Sequence, residues 1–504
     1  MSLQPATQMP ARFPDFDPGR EYGVYIDGEP RPSVTGRTFR LVDPFDDTEW
    51  GYVPECSAHD VDMAVQAARR AFPVWSGMSA VARGEIIRRW ADLIRVSIDE
   101  LARIQVHENG KTLEEMRMAT RSVRALADFV AQYAQTVHGV TVEPSTPGHE
   151  AWTRRQPLGV VAAITPWNNP LALLAWKLMP AVAAGNTIVI KPSEVTPVST
   201  LRLVELAHDA GIPHGVINVV TGGGEAGAAL VDHPGINKIA FTGSTATGAR
   251  IAQAAASRFL PVTLELGGKG PQIVFPEADL DRAIGSLRTG VIAGTGQACN
   301  SGSRLLVHDS VYDEVLSRLI TAFDEIQIGD PLDPTTTVGP LASRPHFAKV
   351  ASYLEVASAE PSTELLHGGR VGRDIPGVEN GLFVEPSLFA TPDPTSRIRC
   401  EEIFGPVGSV IRFRDEAEAI RIANESEYGL VSGIWTQDLD RAARVSKQLQ
   451  SGVVWVNTWR AFSSNVPFGG HKHSGVGHEL GLDLFNEYTE SKSIWLGLKP
   501  SPAS

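Results

Sequence analysis

The chain has 504 residues, 42% hydrophobic and 20% charged, with a formal net charge of −13. That length exceeds what one hydrophobic core supports and points to several domains. The acidic balance argues against nucleic acid or membrane as a partner, since both are bound through an excess of Lys and Arg.

The stretch 1–20 carries four prolines and no apolar core, which predicts a flexible tail rather than a signal peptide. No apolar run reaches the roughly 18 residues of a membrane span. The three cysteines, Cys56, Cys299 and Cys400, are far apart and lack metal-ligand spacing. No disulfide framework or metal site is therefore expected, and a reducing, cytoplasmic setting fits.

Val61, Ala64, Val65 and Ala68 recur at helical spacing behind Asp60, the expected N-cap. A second helical tract is expected over 81–105, with Ile86, Ile87, Trp90, Leu93 and Ile94 on one stripe, and a third over 113–137. The segment 138–156 turns polar and extended around Pro147-Gly148, as two strands would. Such a hairpin needs a partner sheet, either the strand expected at 491–496 or another subunit.

From 158 to 266, apolar runs at 160–164, 187–190, 216–220, 238–241 and 262–266 alternate with helical segments such as 199–210 and 226–232. This is the pattern of a parallel sheet covered on both faces, with ligands at the carboxyl ends of its strands. The second half repeats the style, with runs at 272–275, 304–307, 407–411 and 453–456 and helices at 310–326 and 416–424. The expected fold is α/β, two domains with parallel sheets plus a small β arm.

The strand ends carry ligand-type residues. Thr165-Pro-Trp167-Asn168-Asn169-Pro170 is stiffened by two prolines and offers the Asn168 amide. Lys191-Pro-Ser193-Glu194 combines a cation, a hydroxyl and a carboxylate. Thr242-Gly243-Ser244 opens a helix, where free N–H groups and the dipole favour a phosphate. Glu265-Leu-Gly-Gly-Lys269 follows the last strand.

A literal GxGxxG runs from Gly222 to Gly227, but the ribose acid expected about 20 residues later is missing. Gly222 and Gly224 therefore read as a structural turn, and only Gly227 is kept as a cofactor contact. Glu194 becomes the candidate ribose carboxylate, and its charge would repel a 2′-phosphate, favouring NAD over NADP.

In the second half, Gly294-Thr-Gly-Gln-Ala-Cys299-Asn300-Ser-Gly-Ser-Arg304 lies between a helix at 280–292 and a strand at 304–308. Glycines and small polar residues let the backbone approach a ligand and leave Cys299 clear. The alternative for that thiol is a small buried hydrophobe.

Taken with Glu401-Glu-Ile-Phe404-Gly-Pro and Pro467-Phe468-Gly-Gly, these motifs resemble the NAD(P)-dependent aldehyde dehydrogenase superfamily, in its order and over nearly the whole chain beyond the tail. The resemblance implies a Rossmann-type cofactor domain over 21–137 and 158–266 and a catalytic domain over 267–485. It implies an oligomerisation arm of 138–157 and 486–504, giving dimers or tetramers. It makes Cys299 the nucleophile, Glu265 the general base and Asn168 the oxyanion donor, with no metal. It places Thr165, Trp167, Lys191, Ser193, Glu194, Gly227, Gly243, Ser244, Glu401 and Phe404 against NAD, with Glu401 on the nicotinamide ribose. Lys177 and Glu479 fall where the family relays protons.

Leu173, Trp176, Trp459, Phe462 and Phe468 align with its aldehyde tunnel. Together with Asn169, Asn300 and Arg460, they suggest an aromatic or medium-chain aldehyde bearing a polar or anionic group. His471, His473 and His478 read as polar surface. Two rivals remain, a CoA-acylating semialdehyde dehydrogenase, whose branches tend to lack the glutamate at 265, and a cysteine hydrolase without redox chemistry.

Overall fold

In the computed structural model, residues 19–378 and 381–499 are described. Residues 1–18 of the expected tail at 1–20 and the final residues of the arm, 500–504, lie outside them.

The first sheet has six strands in the order Gly475–Val476, Val262–Glu265, Lys238–Thr242, Val160–Ile164, Thr187–Lys191, Ile217–Val219. All neighbours run parallel except the pair made by Gly475–Val476, which the second half of the chain contributes. Strand residues alternate between two cores. Val161 and Ala163 pack with the helices Ala80–Val96, Leu113–Tyr133, Pro170–Ala184 and Val198–Asp209, while Val160 and Ala162 pack with Ala58–Gly77, Gly224–Asp232 and Thr245–Ala256. With both faces covered, each strand reads as a continuous apolar run, which is why these strands were legible.

The second sheet has seven strands in the order Glu364–His367, Ser387–Ala390, Val407–Phe413, Arg304–His308, Pro271–Val274, Val431–Trp435, Val453–Val456. It is parallel apart from its first pair. A third sheet joins Thr141–Val142, His149–Pro157 and Thr489–Gly497. Within this chain the C-terminal strand partners the hairpin over its whole length, from Thr489 opposite Pro157 to Gly497 opposite His149.

Three expectations need correction. The first helix is capped by Ser57, and Asp60 is its third helical residue, bonding back to the Ser57 N–H at 2.8 Å in a capping box. The tract 81–105 is two helices, Ala80–Val96 and Ile98–Asn109, with Ser97 closing one and opening the next. The strands at Ser387–Ala390 and Val431–Trp435 had not been expected at all. Among the described residues no helix is long and apolar enough to cross a membrane.

Candidate active site

Cys299 sits on the wall of a cavity of about 680 Å³ shared with Asn168, Asn169, Leu173, Trp176, Asn300, Phe462 and Phe468. Its loop is built from three successive residues in the left-handed region, Gly294 (φ 61°), Thr295 (φ 58°) and Gly296 (φ 66°). Gly296 allows two loops to touch, since a Cβ there would lie 2.2 Å from the Gly405 carbonyl carbon and oxygen. Gln297 pins the loop, accepting from Ala342 N at 2.9 Å and donating to Gly294 O at 3.2 Å.

Asn168, at the end of Val160–Ile164, donates through Nδ2 to Gln297 O at 2.8 Å. This bond fixes the carboxamide two residues from the thiol and leaves its second amide hydrogen unspent. Glu265 ends the strand Val262–Glu265 and is buried, with no hydrogen-bond partner on either carboxylate oxygen. Burial, then the nearby Glu479 charge, raises its pKa well above the ordinary carboxylate range. The glycines after it bring the base strand to the nucleophile, because a Cβ at Gly268 would come 2.2 Å from Cys299 O. Burial, then the Glu265 and Glu402 charges, pushes the Cys299 thiol up to about 12, against a backbone hydrogen bond from Asn300.

Behind Glu265, Lys177 donates to Glu479 Oε1 at 2.8 Å and to Thr242 Oγ1 at 2.6 Å, deep in the protein. The neighbouring aromatic wall is continuous. Trp176 lies 5.1 Å from Phe468 and 6.3 Å from Phe462, centroid to centroid.

The strand ends of the first sheet carry a second set of polar residues. Lys191 Nζ reaches Glu194 Oε2 at 3.5 Å, and burial lowers its pKa. Ser193 lies between them, and its hydroxyl accepts from Val195 N. Thr165 has a buried hydroxyl without a partner. Ser244 caps the helix Thr245–Ala256 by accepting from Thr247 N at 3.3 Å, and Gly243 packs tightly over the Phe241 ring. Gly227 lies on the helix Gly224–Asp232 with open space where a side chain would be. Trp167 packs against Phe404 at 5.4 Å, and Phe404 itself is held at φ 62°.

Two sequence-derived assignments change. Glu401 does not face the site, because its carboxylate is held by Arg397 at 2.7 and 2.9 Å and by Tyr353 at 2.6 Å. Its neighbour Glu402, which sequence reasoning passed over, turns inward and accepts from Gly268 N at 2.8 Å. Trp459 is not on the cavity wall; its ring stacks edge-on to Trp455 at 4.9 Å and packs over Gly302 and Gly433. His471, His473 and His478 are exposed, and among the described residues no cluster of three or more His, Cys, Asp or Glu could hold a metal.

The sequence model of the aldehyde dehydrogenase family matches residues 31–494. The chain is 41% identical to a hydroxyisobutyraldehyde dehydrogenase of Mycolicibacterium austroafricanum, covering 95% of this chain and 94% of that one. Its structure is similar to that of PnpE in complex with nicotinamide adenine dinucleotide, with a TM-score of 0.93, 42% identity and coverage of 96% and 99%. It is also similar to betaine aldehyde dehydrogenase from Staphylococcus aureus in complex with NAD+, with a TM-score of 0.93, 37% identity and coverage of 95% and 96%.

Proposed function

This chain belongs to the aldehyde dehydrogenase family, and on that premise we propose that Cys299, Asn168 and Glu265 carry its NAD-dependent oxidation of an aldehyde to the carboxylic acid. The observation that supports this most is the meeting of three loops at one thiol, with the Gly268 backbone against Cys299 and Asn168 bonded to Gln297.

The polar strand ends of the first sheet fit NAD. The unpartnered Thr165 hydroxyl, the thinly bonded Lys191 ammonium and the Ser244 helix start are donors without full internal partners. Lys191, Ser193 and Glu194 hold the adenosine ribose, Gly227 lines the adenosine side, and Gly243 and Ser244 take the pyrophosphate. Thr165, Trp167, Glu402 and Phe404 hold the nicotinamide end, with Glu402 in the place expected of Glu401. Glu194 favours NAD over NADP by charge repulsion of a 2′-phosphate. Bound NAD supplies the hydride acceptor.

The chain's own residues do the rest. The Cys299 thiol, held neutral by its surroundings, loses its proton to Glu265 as Sγ bonds to the aldehyde carbon. The alkoxide that develops is met by the free Asn168 amide hydrogen and the Cys299 backbone N–H. Oxidation leaves an acyl thioester on Sγ. Glu265 then takes a proton from water as the water oxygen attacks that carbon, and returns it to Sγ as the C–S bond breaks, releasing the acid with the thiol restored. Lys177 and Glu479 pass the proton onward from Glu265. The presence of Glu265 favours water over CoA as the acyl acceptor.

The cavity's aromatic and aliphatic wall of Leu173, Trp176, Phe462 and Phe468, with Asn169 and Asn300, suits an aromatic or medium-chain aldehyde. We assign 21–137 and 158–266 to cofactor binding, 267–485 to catalysis, and 138–157 with 486–504 to an arm that makes a homo-oligomer in the cytoplasm. NADH absorbance with NAD and a panel of aldehydes, beside Cys299→Ala, tests the reading. Turnover is expected for the wild type and lost in the variant, and NADH formation retained in Cys299→Ala would sink it.

A further inference from the structure

The cavity above Cys299 holds two cations that the chemistry just derived does not use. Lys111 follows the left-handed Gly110 (φ 73°) at the end of the helix Ile98–Asn109. Its Nζ lies over the nucleophile loop, 2.5 Å from where a Cβ at Gly294 would be. Arg460 enters after the strand Val453–Val456, and its own backbone is left-handed at φ 58°. That conformation is costly for a side-chain-bearing residue and persists where the surroundings demand it. Both residues line the cavity together with Cys299.

Neither side chain makes a hydrogen bond or ion pair with any described residue. Three other buried cations of this chain behave differently, although Lys269, away from this cavity, is also buried without a hydrogen-bond partner. Lys177 is paired with Glu479, Lys238 bonds Thr263 at 2.7 Å, and Arg304 spends its guanidinium on the Lys269, Ile422 and Ala423 carbonyls. Among the described residues, Glu115 is the one carboxylate on the cavity wall, and it is already engaged. Its Oε1 accepts from Gly294 N at 2.7 Å and its Oε2 from the Thr112 hydroxyl at 3.0 Å. Burial depresses the Lys111 ammonium to about 8, with the Arg460 charge acting in the same direction and the Glu115 charge opposing it. Lys111 is buried and Arg460 half-buried, and cations shielded from water without partners are unfavourable, so the pair stands ready for an anion brought from outside. With Glu115 counted, the wall carries one excess positive charge, which one carboxylate balances.

We propose that the substrate is a carboxylated aldehyde, a semialdehyde whose carboxylate is bound between Arg460 and Lys111 while its carbonyl meets Cys299. The proposal rests on the dehydrogenase reading of Cys299 and adds the charge of the substrate. A planar guanidinium suits a carboxylate in bidentate fashion, and the lysine, near enough for its charge to interact with that of Arg460, adds a point charge.

The test compares kcat/KM for a carboxylated aldehyde and for its methyl ester, with NAD, in the wild type, Arg460→Met, Arg460→Lys and Lys111→Met. The acid is expected to be preferred at least about tenfold in the wild type, the ratio of one salt-bridge-sized interaction. The preference falls towards unity in Arg460→Met and Lys111→Met, chiefly through KM, and is partly kept in Arg460→Lys. Iodoacetamide alkylation of Cys299 against pH keeps its wild-type profile in Arg460→Lys, which retains the charge that lowers the thiol's pKa. An ester used as well as the acid by the wild type would overturn the proposal. So would variants that lose both substrates equally while the alkylation profile moves to higher pH, which would make the cations partners of the thiolate.

Calorimetric binding of the dicarboxylate product and of its half-ester to Cys299→Ala reads the anion site without turnover. Tighter binding of the dicarboxylate by about tenfold is expected, and equal binding would overturn the proposal even if no aldehyde were oxidised. Absence of NADH from every aldehyde alongside tight dicarboxylate binding would instead count against the dehydrogenase reading alone.

Discussion

Asn168 spends one amide hydrogen on the Gln297 carbonyl at 2.8 Å and keeps the other for the cavity. Asn168→Ala removes both the oxyanion donor and the loop tether, and turnover is expected to fall about 100- to 1,000-fold with the Cys299 thiol still open to alkylation. Glu265 is set up for base chemistry by burial, which holds its proton far above the 4.5 of an ordinary glutamate. Below its raised pKa it is protonated and cannot accept, so kcat/KM rises with pH along a limb well above the usual carboxylate range. Glu265→Gln is expected to remove that limb and about 100- to 10,000-fold of rate, read from pH profiles of both proteins. Adjacent glutamates show what sequence could not settle at this scale. Residue types and spacing single out Cys299, Glu265 and Asn168, but Glu401 and Glu402 differ only in which one the short helix Arg397–Cys400 turns inward. The Arg397 and Tyr353 contacts decide it, and neither is visible in the motif.

Among elements, the link between the helix Pro170–Ala184 and the short strand Glu479–Leu480 runs through one buried ion pair, Lys177 with Glu479. Lys177→Met leaves the Glu479 carboxylate buried without its cation and is expected to cost about 3–5 kcal/mol. Replacing both partners by apolar residues costs less, and thermal unfolding of the single and double variants measures the difference. The buried parallel strands were readable because their apolar runs are continuous. The break at Ser97 was not, because the apolar stripe continues in phase across it and only cap geometry marks the change. Trp459 was assigned to the tunnel by its place in the chain. The glycines at 302 and 433 open a slot against the second sheet, and the indole fills it instead.

At the scale of the whole molecule, two parallel sheets present strand ends to a common centre, and the six-stranded sheet is completed by Gly475–Val476 from the other half of the chain. The arm sheet stands apart and exposes Val142 (49%), Trp495 (58%) and Leu496 (45%), an apolar surface consistent with a subunit interface. Trp495→Asp is expected to break the proposed homo-oligomer into a smaller species, and light scattering reads the mass. The central claim is that aldehyde oxidation passes through an acyl group carried on Cys299. The most direct measurement is rapid mixing of enzyme, NAD and aldehyde, with intact-mass analysis of the quenched protein, for the wild type and Glu265→Gln. The account predicts for the wild type a burst of NADH matched to the number of sites, with an acyl adduct on Cys299; in Glu265→Gln, which lacks the base for both steps, the adduct forms more slowly and persists once formed. A full burst with no adduct on Cys299 would contradict it.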